Sequence, residues 1–77
     1  MFVLTQNSEN IVNINAYKSI EITPNNIIIA VFDKPTPHEY IGILLGRYTE
    51  KGAREIIFEL LKKLENGSRI YIMPKEF

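Results

Sequence analysis

The side chains that most often carry enzyme chemistry are few and scattered in this 77-residue sequence. His38 is the only histidine and there is no cysteine, so thiolate catalysis, zinc–thiolate binding and paired histidine ligands are excluded. Ser8, Ser19 and Ser68 lie in turn or strand-start contexts, without the G-x-S-x-G pattern of a nucleophile elbow. We therefore predict no catalytic residue and no metal site, and we interpret His38 as an exposed loop residue.

The carboxylates and glycines also lack a catalytic arrangement. Lys51 with Glu55, and Glu59 with Lys63, are spaced four residues apart, which is typical of charge pairs on the solvated face of a helix. The glycines form neither G-x-G-x-x-G nor a Walker pattern, so no motif supports phosphate binding. An enzyme would need a site assembled from carboxylates and His38, for example across a subunit boundary. The sequence predicts instead a protein that is not an enzyme and binds no cofactor.

One group of residues combines basic and aromatic side chains: Arg47, Tyr48, Arg69 and Tyr71. Tyrosine beside arginine on a sheet is how many proteins stack the bases of single-stranded nucleic acid. Nine basic residues balance nine acidic ones, however, and no strand carries a run of aromatic residues of the RNP type. Nucleic-acid binding through these four residues is the alternative hypothesis.

The clearest predicted element is a helix over about residues 50–66, with Thr49 as its N-cap and Asn66-Gly67 as its stop signal. Its apolar residues recur at helical spacing and form one stripe, as expected for a helix packed across a sheet. The stripe consists of Ala53, Ile56, Ile57, Leu60, Leu61 and Leu64.

Phe58 lies outside that stripe, on the helix flank near Arg54 and Leu61. An exposed phenylalanine requires cover, which could come from a loop or Phe77 of the same chain, or from another subunit. We therefore predict Phe58, Leu61 and Arg54 as interface residues, with internal cover as the open alternative.

Short apolar runs separated by turn residues predict the strands. They lie at 2–5, 11–14, 19–23, 27–32, 40–48 and 69–73. The run 27–32 is continuously apolar, which is typical of a central strand, whereas 69–73 is a candidate edge strand that could pair with a second chain. Gly42 and Gly46 predict bulges or bends. Residues 33–39, with Pro35 and Pro37, form an exposed loop.

The order β-β-β-β-β-α-β lacks the alternation of a parallel doubly wound sheet. We predict an α+β fold in which a mainly antiparallel sheet of about five to six strands packs on one amphipathic helix. The pattern leaves open whether the sheet curls into a partial barrel.

Length and composition favour one domain, 1–77, of 8.9 kDa. Such a chain buries only about 60% of its unfolded surface and here has no disulfide, so a partner could supply stability. No signal sequence and no stretch of about 20 apolar residues is present, which predicts a cytoplasmic protein without a membrane role.

Three short motifs resemble a known group of proteins. They are Leu4-Thr5-Gln6-Asn7 followed by Ile11-Val12-Asn13, then Leu45-Gly46-Arg47-Tyr48-Thr49, and finally Tyr71-Ile72-Met73-Pro74. Together they look like small proteins of unknown function from Gram-positive bacteria and their phages. The resemblance implies an intracellular setting and one compact domain, and it implies no substrate, cofactor or active residue. The loop from Pro35 to His38 departs from it.

These observations lead to one functional expectation. We expect a small binding or assembly module that associates with itself or with another protein, through the flank around Phe58 or through an edge strand. No small-molecule substrate is inferred.

Overall fold

The computed structural model describes residues 1–76, whose six strands form two separate sheets beside one helix. The elements are β1 (Phe2–Leu4), β2 (Ile11–Asn13), a 3-10 turn (Ile14–Ala16), β3 (Ser19–Ile22), β4 (Ile27–Asp33), β5 (Ile41–Arg47), α1 (Glu50–Glu65) and β6 (Ile70–Ile72). Sheet A has the order β2-β1-β6, and sheet B has the order β3-β4-β5. The predicted α+β class is confirmed.

The prediction of one sheet, open or curled into a partial barrel, was wrong. The strands divide into two three-stranded sheets, and the described strands form no closed barrel. The order also differs, because a 3-10 turn separates β2 from β3 and because β1 pairs in parallel with β6 from the far end of the chain. Periodicity identifies extended segments, whereas strand pairing depends on packing between segments distant in sequence.

The helix follows its predicted signals closely. The Thr49 hydroxyl accepts a hydrogen bond from the Gly52 amide at 3.0 Å, and Gly67 leaves the helix with a positive φ of 70°. The charge pairs differ from the expectation: among the described residues Arg54 pairs with Glu50 at 3.1 Å, and neither Lys51–Glu55 nor Glu59–Lys63 forms.

Strand β4 lies at the centre of sheet B, as predicted, with Ile28, Ala30 and Val31 buried. The pairing of β4 with β5 shifts register between Ile28 and Ile29 and between Val31 and Asp33. These bulges adjoin Gly46 and Gly42, which confirms the interpretation of both glycines. At Gly42 a Cβ atom would lie 1.9 Å from the Ala30 carbonyl oxygen, so a larger residue does not fit.

The core lies between the inner faces of the two sheets and α1 as far as Leu60. Its buried members are Val3, Val12, Ile14, Ile28, Ala30, Leu45, Tyr48, Ala53, Ile56, Leu60, Tyr71 and Met73. No helix residue after Leu60 belongs to this core, and Leu61 and Leu64 of the predicted stripe are exposed.

Gln6 connects sheet A to sheet B. Its backbone amide donates to the Leu45 carbonyl at 2.8 Å, which continues β1 towards the edge of β5. Its side-chain oxygen accepts from the Arg47 amide at 2.8 Å, and its side-chain nitrogen donates to the carbonyls of Arg47 at 3.1 Å and Lys75 at 2.8 Å. A single side chain thus hydrogen-bonds to β5 and to the C-terminal segment.

The three motifs of the sequence resemblance meet around this connection. The Tyr48 ring lies against Gly46, where a Cβ atom would be 2.6 Å from the ring, and the Tyr48 hydroxyl donates to the Pro74 carbonyl at 2.7 Å. The buried Thr5 accepts a hydrogen bond from the Asn10 amide and so closes the turn between β1 and β2. The motif residues therefore have structural roles: Gln6 and Tyr48 join the two sheets, and Thr5 stabilises a turn within sheet A.

Candidate functional site

The outer face of sheet A is apolar although it faces solvent. Side chains alternate along a strand, so the buried Val3, Val12 and Tyr71 direct their neighbours to the opposite side. The outer face consists of two rows set by the strand register: Asn13, Phe2 and Ile70 in the first, and Ile11, Leu4 and Ile72 in the second. Five of these six positions carry large apolar side chains.

The exposure of these side chains is high. Ile11 is 73% exposed, Ile70 is 65% exposed, Ile72 is 62% exposed and Phe2 is 48% exposed. With Leu4 they line a shallow cleft of about 270 Å³. A sheet that meets water on one side normally alternates apolar and polar residues. Here both faces are apolar, which is typical of a surface that another molecule covers.

Asn13 is the one polar residue on the outer face of sheet A. Its side-chain oxygen accepts a hydrogen bond from the Asn15 amide at 3.1 Å and caps the 3-10 turn. Because this acceptor already has a partner within the chain, covering Asn13 would not leave that oxygen without a hydrogen bond.

The apolar surface continues from sheet A to the end of the helix. A groove of about 540 Å³ joins Phe2 and Ile70 to Leu64, and a groove of about 410 Å³ runs on between α1 and the segment 14–20, past Leu61. We call the continuous surface the apolar belt. It contains six of the ten large hydrophobic residues exposed among residues 1–76: Ile11, Ile72, Ile70, Phe2, Leu64 and Leu61.

The helix flank predicted as an interface is exposed but only partly joins the belt. Arg54, Phe58 and Leu61 follow one another along the helix at spacings of four and three, which places them on one side. Phe58 is 66% exposed, and the Arg54 side chain is bonded to Glu50. Leu61 lies on the belt. Internal cover of Phe58 by Phe77 concerns a residue outside the described part of the chain.

The structure buries both tyrosines of the nucleic-acid hypothesis. Tyr48 is 8% exposed and Tyr71 is 4% exposed, so neither ring offers a face on which a base could stack. Arg47 is exposed at the end of β5 in sheet B, whereas Arg69 is exposed in the bend before β6. The four predicted residues therefore do not form one surface.

The phenol groups of these tyrosines make internal hydrogen bonds. The Tyr71 hydroxyl donates to the Glu59 carboxylate at 2.9 Å, and the Tyr48 hydroxyl binds the Pro74 carbonyl. Burial raises the pKa of Tyr48 to about 12. Burial first, and then the hydrogen bond to Glu59, raise the pKa of Tyr71 even further. Both rings therefore stay neutral core residues across the physiological range.

His38 lies on the exposed loop after β4, as predicted. Its backbone amide donates to the Thr36 hydroxyl at 3.3 Å. Within residues 1–76 no three histidine, cysteine or acidic side chains come close enough together to hold a metal ion.

Sequence reasoning missed the outer face of sheet A. The relevant signal was the alternation Ile70-Tyr71-Ile72, in which either the tyrosine or the two isoleucines face the core. The alternative nucleic-acid hypothesis requires the Tyr71 ring to be exposed, but the ring fills the core beneath α1 and leaves both isoleucines outside.

The fold and this surface define a class of protein: a small α+β domain with one apolar sheet face that the described chain leaves uncovered. No protein-family model, no curated protein and no solved structure matches the chain. In the part that the structure describes, no helix has the length and apolar character needed to cross a membrane.

Proposed function

We propose that the protein is a non-catalytic assembly module that associates with itself through the apolar belt. The single observation that carries this proposal is the outer face of sheet A, where five of six positions are large apolar side chains and four of these five are exposed to solvent. Apolar surface held in water is unfavourable, and its burial is the dominant driving force for most protein association.

The chemistry of the outer face of sheet A favours a protein partner over other ligands. None of the six positions on the outer face of sheet A is charged, and the chain has no net charge, so phosphate backbones and anionic lipids find no electrostatic complement there. Its clefts are open and shallow, whereas small-molecule sites enclose most of their ligand and place a few polar groups around it.

Light scattering after size exclusion, over a series of protein concentrations, tests this proposal. We expect the mass to rise from 8.9 kDa towards twice that value as concentration increases. Because apolar association is not screened by ions, high sodium chloride should leave the association unchanged or strengthen it. A mass that stays at 8.9 kDa up to the solubility limit would refute self-association.

A further inference from the structure

Resting on the proposed function, we infer that the second copy docks on the outer face of sheet A, so that two copies form a six-stranded β-sandwich around a two-fold axis. In such an isologous interface the same patch serves both partners and must be complementary to itself.

The outer face of sheet A meets that requirement. It carries no charged residue, so two copies bring no like charges together. Its one polar residue, Asn13, has its side-chain oxygen bonded to the Asn15 amide. Two apolar sheets pack about 10 Å apart with interdigitating side chains, and the three strands of each copy supply the two layers.

The available area sets the strength of the dimer. Full burial of an apolar side chain removes on the order of 100 Å² from water, so the partly exposed Phe2, Ile11, Ile70 and Ile72 offer about 250–300 Å² per copy. Homodimer interfaces are about 65% apolar, which implies roughly 390–460 Å² per copy and about 770–920 Å² in total. This total is below the roughly 1,200 Å² at which stable specific interfaces begin, and it corresponds to a weak, concentration-dependent dimer.

Edge-to-edge pairing through β6 is the competing arrangement. The Arg69 carbonyl and the Met73 amide bond to β1, so the backbone groups of Ile70 and Ile72 point to the free edge. Pairing there would join two sheets side by side and leave both apolar faces in water. Face-to-face packing covers them, and for that reason we infer the sandwich.

Matched lysine variants test the location of the interface. Ile72→Lys and Ile11→Lys place a charge on the outer face of sheet A, at positions already exposed in the single chain, so the fold should persist. We expect each to raise the dimer Kd by about 30-fold or more, as for loss of a central interface residue. Ile41→Lys, an exposed isoleucine on sheet B, is the control, and we expect its Kd to remain within about threefold.

The variant Phe58→Asp distinguishes a dimer that forms through the outer face of sheet A from one that forms through the helix flank. If Phe58→Asp abolishes the dimer while Ile72→Lys does not, the protein still assembles, as proposed, but the sandwich is wrong. If the unaltered chain remains at 8.9 kDa throughout, both the sandwich and the assembly function are wrong. Circular dichroism of each variant confirms that it folds.

Isoleucine methyl resonances give a second test that needs no substitution. On dilution of the unaltered protein, the δ1-methyl signals of Ile11, Ile70 and Ile72 should shift, while that of Ile41 should not. Shifts confined to Ile57, in the groove beside α1, would overturn the sandwich. The sandwich would also be overturned if the Ile70 and Ile72 amides exchange hydrogen more slowly on dimerisation, because slower exchange there indicates pairing of the β6 edges.

Discussion

Replacing Gln6 with alanine should destabilise the fold far more than the partial exposure of this side chain suggests. Its amide forms three hydrogen bonds, one from the Arg47 N–H and two to the carbonyls of Arg47 and Lys75. These bonds connect sheet A to the edge of β5 and to the C-terminal segment. No other side chain takes the place of the amide after truncation to a methyl group.

The magnitude follows from the number of bonds. A protein hydrogen bond contributes about 0.5–1.5 kcal/mol net, and these three lie near solvent, so Gln6→Ala should lower the free energy of unfolding by about 1.5–3 kcal/mol. Small domains have a total stability of roughly 0.05–0.15 kcal/mol per residue. The loss is therefore a substantial fraction of the stability of this chain.

Urea unfolding followed by circular dichroism measures the effect. With an m-value of about 1 kcal/mol per molar urea, the midpoint should fall by about 1.5–3 M at a fixed protein concentration. Asn25→Ala, an exposed turn amide, is the matched control and should change stability by less than about 0.5 kcal/mol.

Gln6→Glu keeps the shape of the side chain and tests the donors separately. A carboxylate still accepts a hydrogen bond from the Arg47 N–H, but it cannot donate hydrogen bonds to the two carbonyls. The carbonyl oxygens then repel the negative charge of the carboxylate. The folded state should therefore raise the pKa of the introduced carboxyl, and the variant should regain stability relative to Gln6→Ala as pH falls and the carboxyl protonates. If Gln6→Ala and Gln6→Glu both unfold at the midpoint of the original chain, the connection between the sheets is not held by this amide.

Three further predictions concern the helix cap, a glycine and a buried phenol. Thr49→Ala removes the acceptor for the Gly52 amide and should cost about 1 kcal/mol in urea unfolding, while Thr49→Ser should restore most of it. Gly42→Ala drives a Cβ atom into the Ala30 carbonyl and should cost about 2–3 kcal/mol or prevent folding, so a normal melting temperature would contradict the bulge geometry. Burial raises the Tyr48 pKa from 10.0 to about 12. The neutral phenol therefore stabilises the fold below pH 10, and this contribution disappears as the pH rises towards 12. Tyr48→Phe removes the titrating group, so the urea midpoint of this variant should decline less at alkaline pH.

Local signals in the sequence determined the helix and the bulges. The cap hydrogen bond of Thr49 and the positive φ of Gly67 involve only residues close in sequence, so both roles could be predicted without knowledge of the tertiary structure. Gly42 and Gly46 likewise mark bulges within a single pair of strands. Phe58 was identified as exposed because its helical angle depends on spacing alone.

Contacts between distant segments could not be read in this way. Whether Tyr71 or its neighbouring isoleucines face the core depends on which strand β6 pairs with and on the position of α1 above it. The exposure of Leu64 depends on how far the helix extends beyond the sheets. Consequently the helix flank was predicted, whereas the larger apolar surface on sheet A was not.

The parallel pairing of β1 with β6 also has a kinetic consequence. It places Val3 beside Tyr71, so sheet A closes a loop of nearly the whole chain. The entropy of closing such a loop amounts to roughly 4 kcal/mol, and contacts this far apart in sequence slow folding. On the ribosome, β6 is synthesised after every other strand, so the outer face of sheet A cannot exist until the rest of the domain has been made. The surface that we propose for self-association is therefore completed last, when β6 pairs with β1.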